Sequence, residues 1–84
     1  MNQFKTLDQL PPEHRAIVVR LEVDESMRRR FLDLGLIENT VVECIGRSPM
    51  GDPSAYLIRG AVIAIRAENC HGIYIQELGN EAAQ

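Results

Sequence analysis

Short runs of alternating apolar and polar residues predict β-strands through most of the chain. The clearest run is 16–23, where β-branched residues dominate and fit a pleated, half-buried surface. Successive side chains of a strand point to opposite faces. The alternation predicts one face with Ile17, Val19 and Leu21 and another with Val18, Arg20 and Glu22. Four further strands are predicted at 40–46, 55–59, 61–66 and 73–75.

A helix is predicted directly after the first strand. Asp24 is a candidate N-cap, because its carboxylate can accept a hydrogen bond from a free backbone N–H of the first turn. Three apolar residues then recur at helical spacing: Met27, Phe31 and Leu34. Gly35 suits the left-handed position that ends a helix, and Leu36 can cover the last turn. A turn is expected at Glu38 and Asn39, since Asn tolerates positive φ.

The remaining segments carry turn signals. Residues 6–12 are a lead-in with at most one helical turn, because their two prolines lack the N–H that a continuing helix needs. The stretch 48–53 contains two prolines and a glycine and is predicted to be an ordered loop. Gly60 suits a tight hairpin, 67–71 can form one helical turn, and 79–84 is expected to be a frayed tail.

Five short strands and one helix in 84 residues favour a mainly β fold. A flat sheet of this size would leave its edges unprotected, whereas a closed or nearly closed barrel removes them. The sequence therefore predicts a small five-stranded barrel with one α-helix, inserted after the first strand, that covers an open end. The length fits a single domain over residues 1–84, and no internal repeat divides it.

Charge and hydropathy limit the classes of function. The formal net charge is −3, which disfavours binding to nucleic acid or to anionic lipid. Residues 1–10 lack the apolar stretch of a secretory signal. The longest apolar runs, such as 61–65, are far shorter than the roughly 20 residues of a membrane-spanning helix. We therefore expect a cytoplasmic protein that reaches a membrane only through a partner.

Four residues are candidate ligands for a transition metal: His14, Cys44, Cys70 and His71. Such a site needs three or four converging ligands. Cys70 and His71 are the closest pair, but adjacent residues point in different directions, so they are weak candidates. Cys44 shares a strand face with Val42 and is expected in the core. The sequence has no motif typical of a hydrolase, a nucleotide-binding loop or a zinc protease, so no catalytic residue is predicted.

Three stretches resemble the FeoA family: 7–12, 29–36 and 48–53, followed by Arg59-Gly60 and 63–66. Their order and spacing agree with the family over about 7–76. The resemblance implies an SH3-like barrel, a fold shared with the C-terminal domain of DtxR-type iron-dependent repressors. Two pairs depart from the family pattern, which commonly has a glycine before the first strand and Pro-Gly after the helix. They are Glu13-His14 and Glu38-Asn39.

The resemblance also implies a function. FeoA-type proteins are cytoplasmic accessory proteins of ferrous iron uptake that bind the membrane transporter FeoB. The resemblance therefore implies a regulatory protein that is not an enzyme and has no cofactor. It also implies a monomer or a weak dimer. A free-standing module that senses metal by binding ferrous iron or another divalent ion directly is the alternative. The expected partner surface comprises Arg28, Arg29, Leu32, Leu36, Met50 and Asp52. A solvated helix face and a structural loop are the other interpretations of these residues.

Overall fold

A single antiparallel sheet of six strands organises the chain, of which the computed structural model describes residues 4–78. The strands are β1 (Lys5–Thr6), β2 (Arg15–Leu21), β3 (Val41–Arg47), β4 (Ser54–Ile58), β5 (Ala61–Ile65) and β6 (Ile73–Glu77). They lie in the order β1-β6-β2-β3-β4-β5. A 3-10 turn (Leu7–Gln9) follows β1. Helix α1 (Glu25–Leu34) follows β2, and the short helix α2 (Ala67–Cys70) precedes β6.

The predicted fold class is confirmed, because strands dominate and one longer helix follows the first predicted strand. The predicted number of strands is wrong, since β1 adds a sixth. It pairs with β6 through Lys5 opposite Ile75 and Thr6 opposite Tyr74. Two residues are too few to show an alternation, so no sequence pattern could reveal this strand. The frayed tail expected at 79–84 lies outside the described residues.

Helix α1 begins and ends where the sequence predicts. The Asp24 carboxylate accepts a hydrogen bond from the Met27 backbone N–H at 2.8 Å, which satisfies one of the free donors of the first turn. Gly35 has φ of 86°, and the following Leu36 N–H donates to the Phe31 carbonyl oxygen at 2.8 Å. Gly35 thus ends the helix in the left-handed conformation that is common at this position.

A bulge in β2 overturns the predicted division of its faces. Val18 lies opposite Ile75 of β6, but Arg20 lies opposite the next residue, Tyr74, so Val19 is the extra residue of a bulge. Alternation therefore restarts after Val19. Ala16 and Val18 are buried before it and Leu21 after it. The prediction that Ile17, Val19 and Leu21 share one face is wrong, because it assumed an unbroken period of two.

The sheet curls so that distant strands approach each other. The Tyr56 hydroxyl of β4 donates to the Leu7 carbonyl oxygen just after β1 at 3.4 Å, although β6, β2 and β3 separate these strands in the sheet. In a flat sheet, four steps of about 4.8 Å would place β1 about 19 Å from β4. The bulge at Val19 and a second irregularity at Ile45 add to the local twist. Within residues 4–78, no ladder joins β5 to β1, so the barrel is open along β5.

The interior of the curled sheet is apolar. Its fully buried side chains come from the 3-10 turn and the residue after it, from four strands (β2, β3, β4 and β6), and from the C-terminal ends of the two helices, as expected for one continuous core. The largest of them are Tyr56, Leu7, Leu10, Leu36, Ile58, Ile73 and Ile75.

Neither helix of the described chain is long and apolar enough to cross a membrane.

Glu77 connects three segments at one end of the sheet. Its carboxylate accepts a hydrogen bond from His14, at the start of β2, and lies 3.5 Å from the Lys5 ammonium of β1. The hydrogen bond from His14, helped by the charges of His14 and Lys5, holds the pKa of Glu77 below its usual value. The ionised carboxylate therefore stabilises the folded state.

Gly72 leaves no room for a side chain where β2 ends beside β6. A Cβ atom there would collide with the Glu22 carbonyl oxygen and lie 2.8 Å from a Val23 methyl carbon. Glu22 N–H also donates to the Gly72 carbonyl oxygen at 2.7 Å, so the two backbones are held together. We expect Gly72→Ala to lower the free energy of unfolding by about 1–3 kcal/mol, because the backbone must separate to admit the methyl group.

Gly46→Ala is the matched control for this change. A Cβ atom at Gly46 would meet no other atom within 4 Å, and its φ is not positive, so we expect an effect within about 0.5 kcal/mol. Urea denaturation of both variants measures the difference. Equal destabilisation would contradict a specific close approach at Gly72.

We expect the substitution Glu77→Gln to lower the free energy of unfolding at about pH 6 by about 0.5 kcal/mol. A lowered pKa means that the carboxylate contributes stability above its unfolded-state pKa of 4.5 and loses it as the pH falls through the folded-state value. The difference between parent and variant should shrink toward zero at about pH 2.5. Denaturation at both pH values measures it, and an equal deficit at each would show that ionisation of Glu77 is irrelevant.

Candidate functional site

The outward face of α1 brings three of the predicted partner-binding residues together. Arg28, Arg29 and Leu32 line one shallow depression on the helix surface, with Glu25 and Asp33 beside them. Leu32 exposes 58% of its surface. The lining holds two arginines and two carboxylates, so the depression combines mixed charge with exposed apolar area. Single exposed leucines also occur on ordinary surfaces.

Arg28 differs from Arg29 in its contacts. The Arg28 guanidinium donates to the Leu21 carbonyl oxygen at 2.7 Å and lies 3.9 Å from the Glu38 carboxylate. It therefore connects α1 to the end of β2 and to the turn after the helix. Arg29 has no ion pair within residues 4–78. Of the two arginines, Arg29 is the one that makes no ion pair in this part of the chain, and Glu25 and Asp33 line the same depression.

Leu36 does not lie on this surface. Its side chain has 0% exposure, because the left-handed Gly35 turns the chain back toward the interior. The sequence pattern that placed Leu36 next to the last turn of the helix was correct, but a residue in that position packs inward. Leu36 belongs to the core and is removed from the candidate surface.

Met50 and Asp52 lie in the loop between β3 and β4, which two backbone hydrogen bonds hold in shape. Gly51 N–H donates to the Ser48 carbonyl oxygen at 2.8 Å, and Ser48 N–H donates to the Pro53 carbonyl oxygen at 3.0 Å. Met50 is 90% exposed at the tip. A flexible thioether in this position adapts readily to a partner surface.

Asp52 has a structural contact. Its carboxylate accepts a hydrogen bond from the Ala67 N–H at 2.8 Å, at the first residue of α2, where a backbone donor has no partner inside the helix. The loop is thereby fastened to α2. Neither Met50 nor Asp52 lines the depression formed by Arg28, Arg29 and Leu32, so the structure places the predicted residues in two patches.

A groove between α1 and β5 was not predicted from the sequence. Its walls include Met27, Phe31 and Leu34 from the helix and Ile63 from the strand, with Arg30 and Arg66 at its sides. The sequence shows the apolar positions but not that β5 is the last strand of the sheet. Only the strand order reveals an open edge next to the helix.

The candidate metal ligands do not converge. Cys70 is fully buried and its Sγ lies 3.9 Å from the Tyr56 hydroxyl. His71 points outward, 65% exposed, with its Nε2 3.5 Å from the Asp8 carboxylate. The expectation that these neighbours point in different directions is confirmed. In the part of the chain that the structure describes, no three His, Cys, Asp or Glu residues are placed to hold one metal ion.

Both thiols are core groups. Cys44 is buried on the same strand face as Val42, which confirms its expected position. Burial raises the pKa of Cys44 above its usual value and that of Cys70 to about 12. A thiol must lose its proton to bind a transition metal or to attack an electrophile. The surroundings of both cysteines oppose that step.

Comparison with known proteins gives one consistent result. The FeoA domain family model matches residues 5–77. The "Fe(2+) transport protein A/Fe(2+) transporter FeoB fusion protein" of Porphyromonas gingivalis is 25% identical over 76 residues, which are 90% of this chain. The match covers 9% of that protein, so the chain spans less than a tenth of this curated relative.

Solved structures agree with the family match. A FeoA protein from Chlorobium tepidum is 28% identical, with a TM-score of 0.84 over 89% of this chain and 71% of that one. A FeoA-like protein from Clostridium acetobutylicum is 25% identical, with a TM-score of 0.85 over 96% and 94%. A Stenotrophomonas maltophilia FeoA, described as an SH3 domain protein complexed with zinc, is 22% identical, with a TM-score of 0.70 over 86% and 89%. The fold is therefore SH3-like.

The raised pKa values predict that both thiols are unreactive in the folded protein. At about pH 8, we expect Cys44 and Cys70 to react with a thiol reagent such as Ellman's reagent at least about 100-fold more slowly than in urea, because burial suppresses both access and thiolate formation. Time-resolved absorbance measures the rates, and Cys44→Ser and Cys70→Ser assign them. Rapid reaction of Cys70 in the folded state would contradict its buried, protonated state.

Proposed function

This chain belongs to the FeoA family, and from that membership we propose that it is a cytoplasmic accessory protein of ferrous iron uptake that acts by binding the transporter FeoB. The family is involved in ferrous iron transport. The observation that carries the finer proposal is the fused relative from Porphyromonas gingivalis, in which protein A and FeoB are parts of one chain. Two modules that are joined in one protein and separate in another commonly function in contact.

The described surface supports a binding role. The interior of the sheet is filled with apolar side chains from the described residues. The two histidines contact carboxylates and the two cysteines are buried. The exposed features include arginine and apolar side chains, which are common where one protein contacts another.

The outward face of α1 is the surface that we propose to contact the transporter, with the Met50 loop as a second contact. Arg29 and Leu32 combine an available charge with exposed apolar area. Glu25 and Asp33 balance the charges of the two arginines in this depression, so Arg29 would pair with a single carboxylate of the transporter while Leu32 provides apolar contact. Arg28 is excluded from the test, because its contact with Leu21 makes it part of the fold.

We expect Arg29→Glu and Leu32→Ser each to weaken binding to the purified cytoplasmic domains of the transporter by at least about tenfold, since each removes a feature of the same face. Val41→Ser is the matched control for Leu32→Ser, because Val41 is also a partly exposed aliphatic residue (45% exposed) but lies on β3. Isothermal titration calorimetry measures the affinities, and circular dichroism verifies that each variant is folded.

Two results would contradict the proposal. If the parent chain does not bind the cytoplasmic domains, the chain does not act through direct contact with them. If the parent binds but Arg29→Glu and Leu32→Ser bind equally well, the surface is elsewhere. Titration with ferrous iron under anaerobic, reducing conditions examines the metal-sensing alternative, which would be favoured by tight stoichiometric binding that disappears in His71→Ala.

A further inference from the structure

The outer side of β5 is an unused sheet edge. This strand pairs with β4 alone, and no other backbone hydrogen bond within residues 4–78 reaches it. The β4–β5 hairpin closes through Arg59 and Gly60, which both have positive φ, as in the two-residue turns whose flanking residues form a hydrogen-bonded pair. Ile58 and Ala61 are that pair. Hydrogen-bonded pairs alternate with non-hydrogen-bonded pairs along an antiparallel ladder, so the residues next to and three after Ala61 are not bonded to β4. These residues are Val62 and Ala64, and their backbone N–H and C=O groups point away from β4.

These two residues are accessible. Val62 is 64% exposed and Ala64 is also exposed. An edge that is exposed, uncharged and free of proline can accept another strand, because the unpaired backbone groups provide a ready set of donors and acceptors. Neither residue has a charge that would repel an incoming chain.

The groove between α1 and β5 runs along this edge. It has a volume of about 570 Å³, within the range of about 300–1,000 Å³ that is typical of ligand sites. Met27, Phe31 and Leu34 provide apolar surface from the helix, opposite Ile63 of the strand. In a strand added to β5, every second side chain would point to the helix side and enter the groove. The groove thus suits alternate apolar side chains.

The charged residues around the groove favour acidic side chains in the incoming segment. Arg30 of α1 and Arg66 at the end of β5 both line it, and neither has an ion pair within the described chain. Glu68 is the one acidic residue among the lining groups, so the groove is net cationic on a chain with a formal charge of −3. An incoming segment with carboxylates would be attracted to it.

We propose that β5 and the α1–β5 groove bind an extended, acidic segment of a partner protein, with apolar residues at alternate positions, as an additional strand of the sheet. A second copy of β5 is disfavoured as the occupant, because residues 61–65 carry no acidic side chain to match the net cationic lining of the groove. The inference goes beyond the proposed function, because it concerns a different face from Arg29 and Leu32 and does not require the partner to be the transporter.

The test uses a capped synthetic octapeptide in which Glu and Val alternate, titrated into the full ¹⁵N-labelled chain and followed by NMR. We expect saturable binding, the largest shifts at the amides of Val62, Ala64 and the groove side of α1, and slower hydrogen exchange at the Val62 and Ala64 N–H groups. The same peptide with Lys in place of Glu should bind at least about tenfold more weakly, because it meets two arginines.

Variants distinguish the contributions of the β5 edge, the groove and the outward face of α1 to peptide binding. Arg30→Glu should weaken binding of the Glu–Val peptide at least about tenfold, whereas Arg29→Glu, the same charge change one residue earlier on the outward face, should leave it within about twofold. Val62→Pro removes an outward N–H without removing a ladder hydrogen bond and should weaken binding similarly. Val62→Thr keeps that N–H and is its control.

The proposal is overturned by any of four results. They are absence of binding at millimolar peptide, equal binding of the Lys peptide, shifts confined to the Arg29 face, and concentration-dependent shifts of Val62 and Ala64 without peptide, which would indicate self-association. If Val62→Pro does not fold, Arg30→Glu and the amide shifts still decide the outcome. Since no transporter is present in this experiment, its failure would leave the proposed function unaffected.

Discussion

A sheet of six short strands can bury a core only if it curls, and the contact of Tyr56 with the turn after β1 shows how far this sheet curls. The Tyr56 hydroxyl lies in the interior, where it bonds to the Leu7 carbonyl oxygen and approaches Cys70. Burial of this hydroxyl raises the pKa of Tyr56. The Tyr56 side chain occupies the space between strands that are distant in the sheet. The bulges in β2 and β3 provide the local twist that this curvature needs.

The packed interior leaves the exposed features described above on the outside of the barrel. The described interior holds side chains from nearly every element, as is usual for small barrels, which lack the width for a ligand cavity. Three exposed features remain: the outward face of α1, the loop with Met50, and the edge of β5. Asp52 joins the second of these to α2, next to the end of the groove beside β5.

The sequence predicted most of the local structure because the relevant signals are local. Asp24 and Gly35 delimit α1 through their own chemistry, and Asn39 adopts positive φ as expected. What the sequence missed depends on long-range pairing. The bulge at Val19 follows from the register against β6, and the strand Lys5–Thr6 exists only because β6 provides a partner for it.

The candidate site was predicted less well, for the same reason. The sequence pointed to Arg29, Leu32 and Met50, which are all exposed, but it could not distinguish them from Leu36, which is buried. Residue type alone does not tell which side of a turn faces water. The groove beside β5 needs the order of strands in the sheet, because the same apolar residues in a central strand would be covered on both sides.

The pairing of β1 with β6 has an architectural consequence. The first and last strands of the described chain are neighbours at one side of the barrel, while β5 is at the far end of the strand order. A longer polypeptide that incorporates this fold would enter and leave through the same region of the sheet, beside β1 and β6. Tethering of this kind raises the local concentration of a neighbouring module without altering either binding surface. The fold is therefore compatible both with a separate subunit and with one segment of a longer protein.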